Sequence, residues 1–461
     1  MLFQNSEPAD SGIRQRMKPV RRNFYRFTLP SLASMIVYSL YTMVDGFFVA
    51  HYNGAIALAS VNLAMPIVNS FFALGILFAI GSQARCAVLL GQGKTEEASR
   101  HFTQSFIAAA CSGVMMAILG LSFLPQITRL LGAGPRHFDL VSGYLRIVLC
   151  FAPLFVISYT MEVMIKTDGF PRLSALGVLG SALVNIVLDA YFVGGLSWGV
   201  QGAALATGLS QLFSFLFFLG HFLFGRSRLH FVRTWLSFKT AMQMAKLGLG
   251  DFISEIGIGF TVFIYNIFII RYIGVTALPI FSVISYVQLF VDTCFLGIAQ
   301  GILPLISSCL GKGDKESARY TMNLAVKAIA ILSVLMFALC WIFPSQIFSL
   351  FFPQESVDWS SGIQALRIFS ISFLFGGYNI LMAAYSVALL HGKTSMRIHF
   401  CRTTLFLFLS LYALSFIGGT AIWYGAGLAQ ILTLLLPSLS CYARRHRLWR
   451  DASQKVARKQ A

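Results

Sequence analysis

Twelve long apolar runs divide this sequence and restrict the folds open to it. A helix needs about 20 mostly apolar residues to cross the hydrocarbon core of a bilayer. Runs of that order cover residues 27–50, 56–84, 102–124, 140–164, 173–194, 200–224, 247–272, 277–309, 321–344, 361–390, 399–418 and 423–442. Only 11% of the residues are charged, whereas soluble domains carry roughly 25%. We therefore predict an all-α, polytopic membrane protein with twelve transmembrane helices.

The basic residues, which give the chain a formal net charge of +18, lie mostly in the short polar segments between the runs. Clusters of lysine and arginine occupy residues 1–26, before the first run, and residues 443–461, after the last. Lysine and arginine mark the cytoplasmic side of a membrane protein. We therefore expect both terminal segments to be cytoplasmic, with the lipid bilayer as a partner and no role in binding nucleic acid.

The sequence is internally duplicated. "GQGKTEEASR" at 91–100 matches "GKGDKESARY" at 311–320 at an offset of 220 residues, and "GAALA" at 202–206 matches "GAGLA" at 425–429 at an offset of 223. No strand precedes the glycine motif, so it predicts a tight cytoplasmic turn rather than a phosphate-binding loop. The matches predict two pseudo-symmetric six-helix lobes of the same orientation. Their expected bounds are 27–224 and 247–442, with a basic cytoplasmic linker at 225–246.

Several polar residues of the first lobe are not repeated in the second. When the two halves are aligned at these offsets, the second half has Tyr265, Phe408, Tyr412 and Gln430 at the positions where the first half has Asp45, Asn185, Asp189 and Thr207. At about 1.5 Å of rise per residue, the four fall at a similar depth in the outer half of the membrane. Asn185 and Asp189 are one helical turn apart and share a face, and Tyr38, Tyr41 and Asp45 form a similar stripe on the first helix. This pattern predicts a polar cluster within the first lobe.

An acidic side chain near the bilayer centre costs roughly 2.5 to 3.5 kcal/mol, so it normally faces a cavity or a partner. No lysine or arginine lies at the depth of Asp45 and Asp189 in the first half. In one interpretation the two acids border an aqueous vestibule and make only structural hydrogen bonds. In the other, which we favour, they form a proton or cation site, because burial and a second nearby carboxylate both favour the protonated acid.

The duplicated glycine turn occurs together with three longer motifs. These are "TLPSLASMIVYSLYTMVDGFFV" at 28–49, "WGVQGAALAT" at 198–207 and "GIAQGILPLIS" at 297–307. In combination they resemble the multidrug and toxic compound extrusion (MATE) family over nearly the whole chain. The prokaryotic DinF-like branch is the nearest match.

The resemblance implies two lobes around a central cleft. It also implies an antiporter that exports small organic cations in exchange for protons or sodium by alternating access, in the cytoplasmic (inner) membrane of a prokaryote. Its coupling network would be Asp45, Asn185, Asp189 and Thr207, with Tyr41 one turn before the first acid. Sodium at those four residues is the one metal ion we consider. We expect no organic cofactor and a monomeric protein.

Some residues depart from the family pattern or stand apart from the network. Gly250 replaces a proline that the family usually has, so we expect the start of the seventh helix to bend differently. Glu162 and Lys166 are four residues apart, and we expect a local ion pair between them.

Glu255 and Asp292 lie near mid-membrane in the second half, and two interpretations remain open for each. They could line the cation path, where Tyr38 is a further candidate cavity residue. They could instead pair with polar neighbours such as Asn266 or Gln288.

Other functions are less compatible with the sequence. A lipid-linked oligosaccharide flippase of the same wider superfamily would share the architecture, but its anionic cargo requires arginines around the cavity, whereas the mid-membrane charges found here are acidic. A membrane-embedded enzyme is not indicated, because neither HExxH nor GxSxG occurs. A channel stays open as an alternative, although duplicated lobes with acids in only one of them favour an antiporter.

Overall fold

The computed structural model of the protein describes residues 7–351, 359–441, 449 and 452–454, and these contain no strand. Six helices form the first half: α1 Met17–Gly54, α2 Ile56–Gly91, α3 Thr95–Ser122, α4 Pro135–Asp168, α5 Pro171–Gly195 and α6 Gly199–Phe224. Six form the second: α7 Phe238–Tyr272, α8 Val275–Lys312, α9 Lys315–Ile342, α10 Trp359–Ala388, α11 Gly392–Ser415 and α12 Gly419–Leu435. Among the described residues, eleven helices are long and apolar enough to cross a membrane, and α12 is a shorter apolar one. The all-α fold with twelve helices is confirmed.

Most helices extend beyond the apolar runs that predict them. The clearest case is α7, which begins at Phe238, inside the segment 225–246 expected to be a linker. Hydropathy marks only the part of a helix in contact with lipid, whereas the backbone hydrogen bonds of a helix continue into the polar interface. Most of the basic tail expected at 443–461 lies outside the described residues.

The turns between paired helices depend on glycine. Gly93 and Gly313, which occupy equivalent positions in the duplicated motif, both have left-handed backbones with φ of 78° and 73°. Gly54 and Gly274, another pair at the same offset, have φ of 80° and 119° between α1 and α2 and between α7 and α8. Glycine adopts these angles without the steric cost of a Cβ atom. The tight turn predicted at the duplicated motif is confirmed.

Apolar cores fill both halves, and the core of the second half continues into α1 and α2 of the first. In the first half the rings of Phe71 on α2 and Phe155 on α4 lie 5.5 Å apart. In the second half Tyr265 on α7 stacks against Phe281 on α8 at 4.8 Å. Close packing of this kind holds helices together in a membrane, where lipid is as apolar as the side chains.

The two halves meet closely at the end of the bundle that carries the glycine turns. A Cβ atom on Gly91 of α2 would overlap the backbone of Ser308 on α8, and one on Gly311 of α8 would overlap the backbone of Val88 on α2. The two contacts are equivalent under the duplication, because at the offset of 220 residues Gly91 corresponds to Gly311 and Val88 corresponds to Ser308. We call these two contacts the glycine seam. Small residues let helix backbones approach, so the seam closes the space between the halves at this end.

Glycine also shapes the contact between α7 and α11. The helix α7 runs without interruption through Gly250. A Cβ atom at that position would lie 2.8 Å from the backbone nitrogen of Met396 on α11. The missing side chain therefore admits the neighbouring helix.

The chain between α6 and α7, residues 225–237, lies along the first half. The backbone N–H of Arg228 donates to Oδ1 of Asp168 on α4 at 2.9 Å. Further along, the backbone N–H of Val232 donates to Oγ1 of Thr103 on α3 at 3.1 Å. We call this segment the linker strap. Its hydrogen bonds attach it to the first half before the chain enters α7.

Candidate functional site

Asp45 on α1 and Asp189 on α5 face each other inside the first half. Asp189 is completely buried and Asp45 is 8% exposed. Their carboxyl groups lie within hydrogen-bonding reach of each other. Neither oxygen of Asp189 has a donor among the described residues. Two buried carboxyl groups in contact require a positive partner, which a shared proton or a small cation can supply.

Asn185 lies one turn before Asp189 on the same helix and is also completely buried. Its amide oxygen and nitrogen have no hydrogen-bond partner among the described residues. Buried amides normally have such partners, so this one is available to a ligand. Directly after Asp189 the helix changes to a π-helical turn, Ala190–Gly195. Such turns are rare and often occur at functional sites.

The remaining predicted member of the network, Thr207, behaves differently. Its hydroxyl donates to the carbonyl oxygen of Ala203 on its own helix, α6, at 2.9 Å. Sequence reasoning missed Tyr144 of α4, which is 1% exposed and lies beside both Asp45 and Asp189. No spacing pattern could have indicated it, because its position depends on how α4 packs against α1 and α5.

A central cavity lies between the halves. Its lining includes Tyr38, Tyr41, Phe72, Tyr159, Glu162 and Glu255. The ring of Tyr38 packs edge to face against Tyr41 at 5.3 Å and against Phe72 at 5.5 Å. Aromatic faces and carboxylates together attract organic cations. Of the two interpretations left open for Glu255, the structure places it in the cavity wall.

Four side chains connect the halves beside this cavity. Nζ of Lys166 lies 2.7 Å from Oε1 of Glu162 and donates to Oε1 of Gln300 on α8 at 3.2 Å. Gln300 in turn donates to the hydroxyl of Tyr159 on α4 at 3.1 Å. We call this network the lobe bridge. The local ion pair predicted between Glu162 and Lys166 is confirmed, but the sequence did not indicate that Lys166 is buried between two halves.

Asp292 does not line the central cavity. Its Oδ2 accepts a hydrogen bond from Nη2 of Arg402 on α11 at 3.3 Å. Of the two interpretations left open for Asp292, neither names the partner that the structure shows: the acid pairs with Arg402 rather than with Asn266 or Gln288, and Arg402 lies 110 residues away in the sequence. The expectation that mid-membrane charges are acidic was also incomplete, since Arg402 is 5% exposed.

Twelve apolar helices in two related halves around a central cavity define a multi-pass membrane transporter. The family model MatE matches residues 30–191 and 252–412, one segment in each half. The chain therefore belongs to the MATE family, as the sequence motifs predicted.

Named relatives and solved structures agree with this assignment. The chain is 24% identical over 453 residues to the multidrug export protein MepA of Staphylococcus aureus, covering 95% of this chain and 97% of that protein. MepA of Staphylococcus haemolyticus is 24% identical over 434 residues, covering 93% and 95%. An outward-facing MATE transporter of the MOP superfamily superposes with a TM-score of 0.88 at 22% identity, covering 93% of this chain and 96% of that one. A MOP superfamily transporter from Pyrococcus furiosus gives 0.87 at 22% identity, with the same coverage. These relatives are transporters rather than enzymes.

Proposed function

We propose that the protein is an antiporter that exports small organic cations in exchange for protons or sodium. The observation that carries this proposal is the contact between Asp45 and Asp189, two buried carboxyl groups with no basic partner among the described residues. Holding both in the ionised state is unfavourable unless a positive ion lies between them. Entry of a proton or a sodium ion would relieve this repulsion, and its departure would restore it.

The ligand chemistry suits either ion. Carboxylate oxygens and the amide oxygen of Asn185 are the hard oxygen donors that small cations prefer. The same carboxylates can hold a proton between them. The neighbouring Tyr144 hydroxyl and the Thr207 hydroxyl would complete the site, Thr207 after rotating away from its own helix.

Helix α1 provides the link between this site and the cargo. It carries Asp45 in the ion site and, one and two turns earlier, Tyr41 and Tyr38 in the wall of the central cavity. A change in the charge of Asp45 would alter the packing of α1 and therefore the shape and potential of the cavity. Ion and drug would then compete for the same acidic half, which is a sufficient basis for exchange.

We further propose that the basic end of the bundle is cytoplasmic and that the protein works as a monomer in the cytoplasmic membrane of a prokaryote. The glycine seam closes that end, so this conformation corresponds to an outward-facing state. Opening the seam would expose the central cavity to the cytoplasm.

A flippase for lipid-linked oligosaccharides receives no support from the cavity. Among the described residues the lining of the central cavity contains no arginine, and of its two acids Glu162 is paired with Lys166, which leaves the charge of Glu255. An anionic pyrophosphate linkage would be repelled there.

The test is ion-driven export by the full-length protein in proteoliposomes, with pH and sodium gradients imposed separately and ethidium as the probe. We expect Asp45→Asn and Asp189→Asn each to abolish gradient-driven export. The matched control is Asp139→Asn, the same chemical change at an exposed position, which should export normally. Undiminished exchange by both Asp45→Asn and Asp189→Asn would refute the proposal.

A further inference from the structure

The second half contains its own cavity, between α7, α8, α11 and α12. Its wall includes Ile258 and Thr261 of α7. At the offset of 220 residues these positions correspond to Tyr38 and Tyr41 of α1, which line the central cavity. The duplicated fold therefore forms equivalent hollows in both halves and lines them with different side chains. We call the hollow of the second half the second cavity.

A buried arginine lines the second cavity. Arg402 is 5% exposed. Among the described residues its one hydrogen bond is the one that Nη2 donates to Asp292. Its Nε and Nη1 atoms, which together carry three N–H groups, have no partner among those residues. A guanidinium group has five such donors in a rigid fork. Leaving most of them unsatisfied in a dry interior is costly, so the site is incomplete without a further acceptor.

Two more polar groups border the same space. The hydroxyl of Ser285 on α8 is buried and has no partner among the described residues. Oδ1 of Asp292 takes no part in the bond to Arg402. The second cavity thus offers unused donors on one side and a carboxylate oxygen on another.

We propose that the second cavity binds the carboxylate group of zwitterionic cargo through Arg402. The planar guanidinium pairs with carboxylates through charge-assisted hydrogen bonds, and Ser285 can donate one more. Asp292 faces the cationic part of the same molecule. The Arg402 and Asp292 charges cancel, so a zwitterion enters without adding net charge to the interior, whereas a simple anion would. This inference rests on the proposed export function and extends the cargo from simple cations to molecules that carry both charges.

The test uses a matched pair of dyes: tetramethylrhodamine, which carries a free carboxylate beside its delocalised cation, and its methyl ester, in which the carboxylate is blocked. Affinities are measured by fluorescence anisotropy on the full-length protein in nanodiscs. We expect Arg402→Gln to weaken binding of the free acid about tenfold or more and to change binding of the ester less than about twofold, since one charge-assisted interaction is lost.

Two further variants keep the result interpretable. Arg402→Gln combined with Asp292→Asn removes both charges of the pair and avoids leaving a buried carboxylate alone; it should show the same loss of selectivity for the acid. Arg271→Gln makes the same change at an exposed arginine of the second half and should bind both dyes as the wild type does.

The outcomes separate this inference from the proposed function. If the two dyes lose affinity equally in Arg402→Gln and in the double variant, Arg402 has only a structural role and the inference is overturned. Equal affinity of the acid in wild type and variants overturns it as well. Export of the ester by the wild type, driven by an imposed gradient, tests the proposed function independently, because the ester does not need Arg402.

Discussion

Removing the charge of Lys166 should destabilise the protein by about 3–5 kcal/mol, the usual cost of leaving one member of a buried ion pair alone. Lys166 is 1% exposed and lies 2.7 Å from Glu162, so solvent does not screen the pair. Lys166→Met retains the length and the packing of the side chain. It leaves the carboxylate of Glu162 uncompensated and removes the donor to Gln300. We expect the free energy of unfolding to fall by this amount.

The double variant Lys166→Met with Glu162→Gln provides the comparison. It removes both charges, and such replacements of a buried pair are often neutral or stabilising. The two single effects should therefore not add. Lys327→Met changes an exposed lysine of α9 and serves as the control, with an effect within about 0.5 kcal/mol. Equilibrium unfolding of each variant in mixed micelles, followed by tryptophan fluorescence, gives the free energies.

A third variant separates the ion pair from the connection between the halves. Gln300→Leu keeps the pair of Glu162 and Lys166 but removes the hydrogen bonds that Gln300 makes to Lys166 and Tyr159. We expect a smaller loss, about 1–3 kcal/mol. If Lys166→Met were no less stable than the wild type, or if the double variant were as unstable as the sum of its parts, the reasoning about the lobe bridge would be refuted.

Three other perturbations follow from the fold. Gly91→Val should force the glycine seam apart and abolish export while the protein still folds, whereas Gly220→Ala, where a Cβ meets nothing within 4 Å, should export normally. Partial burial alone would raise the pKa of Asp314, but hydrogen bonds from Ser317 hold it below its usual value. The stability that this helix cap contributes is therefore complete above the unfolded-state pKa of about 3.9. It is lost as pH falls through the lower folded-state pKa. At neutral pH, Asp314→Ala should cost about 1 kcal/mol. Tyr265→Phe should cost about 1–3 kcal/mol, because the hydroxyl accepts a backbone N–H of α12 at 2.7 Å that would otherwise be left unsatisfied.

Each of these has a direct check. Normal drug export by Gly91→Val would show that the halves do not need the close contact. A difference between wild type and Asp314→Ala that grows as the solution becomes more acidic would contradict the sign derived for the cap. An unchanged free energy of unfolding for Tyr265→Phe, measured in the same micelles, would mean that water replaces the lost acceptor.

The sequence predicted those features that depend on local order along the chain. Apolar length is sufficient to count helices, and a constant offset is sufficient to detect the duplication. The pair of Glu162 and Lys166 was predictable because spacing along one helix fixes which side chains meet. Asp45 and Asp189 could be placed at a common depth by counting residues, and their facing geometry agrees with that count. Their role in ion coupling stays a prediction.

The contacts between distant helices could not be predicted in this way. Tyr144 reaches the two acids only because of the way in which α4 packs. Arg402 was overlooked because the eleventh apolar run begins only three residues before it, which suggested an interfacial position. In the structure α11 begins at Gly392, so Arg402 lies about 15 Å along the helix at 1.5 Å per residue. Hydropathy alone underestimates the depth of a charged residue when the helix starts in polar sequence.

The linker strap ties the connection between the halves to the first half. Its hydrogen bonds extend as far as Trp235, whose carbonyl oxygen accepts a hydrogen bond from Gln104 of α3, and α7 begins three residues later at Phe238. The first turns of α7 also lie against α2, because a Cβ atom on Gly81 would overlap the backbone of Met244 and one on Gly248 would overlap the backbone of Leu77. A rotation of one half against the other would have to separate these backbones, so a pair of spectroscopic labels placed across α2 and α7 would detect it directly.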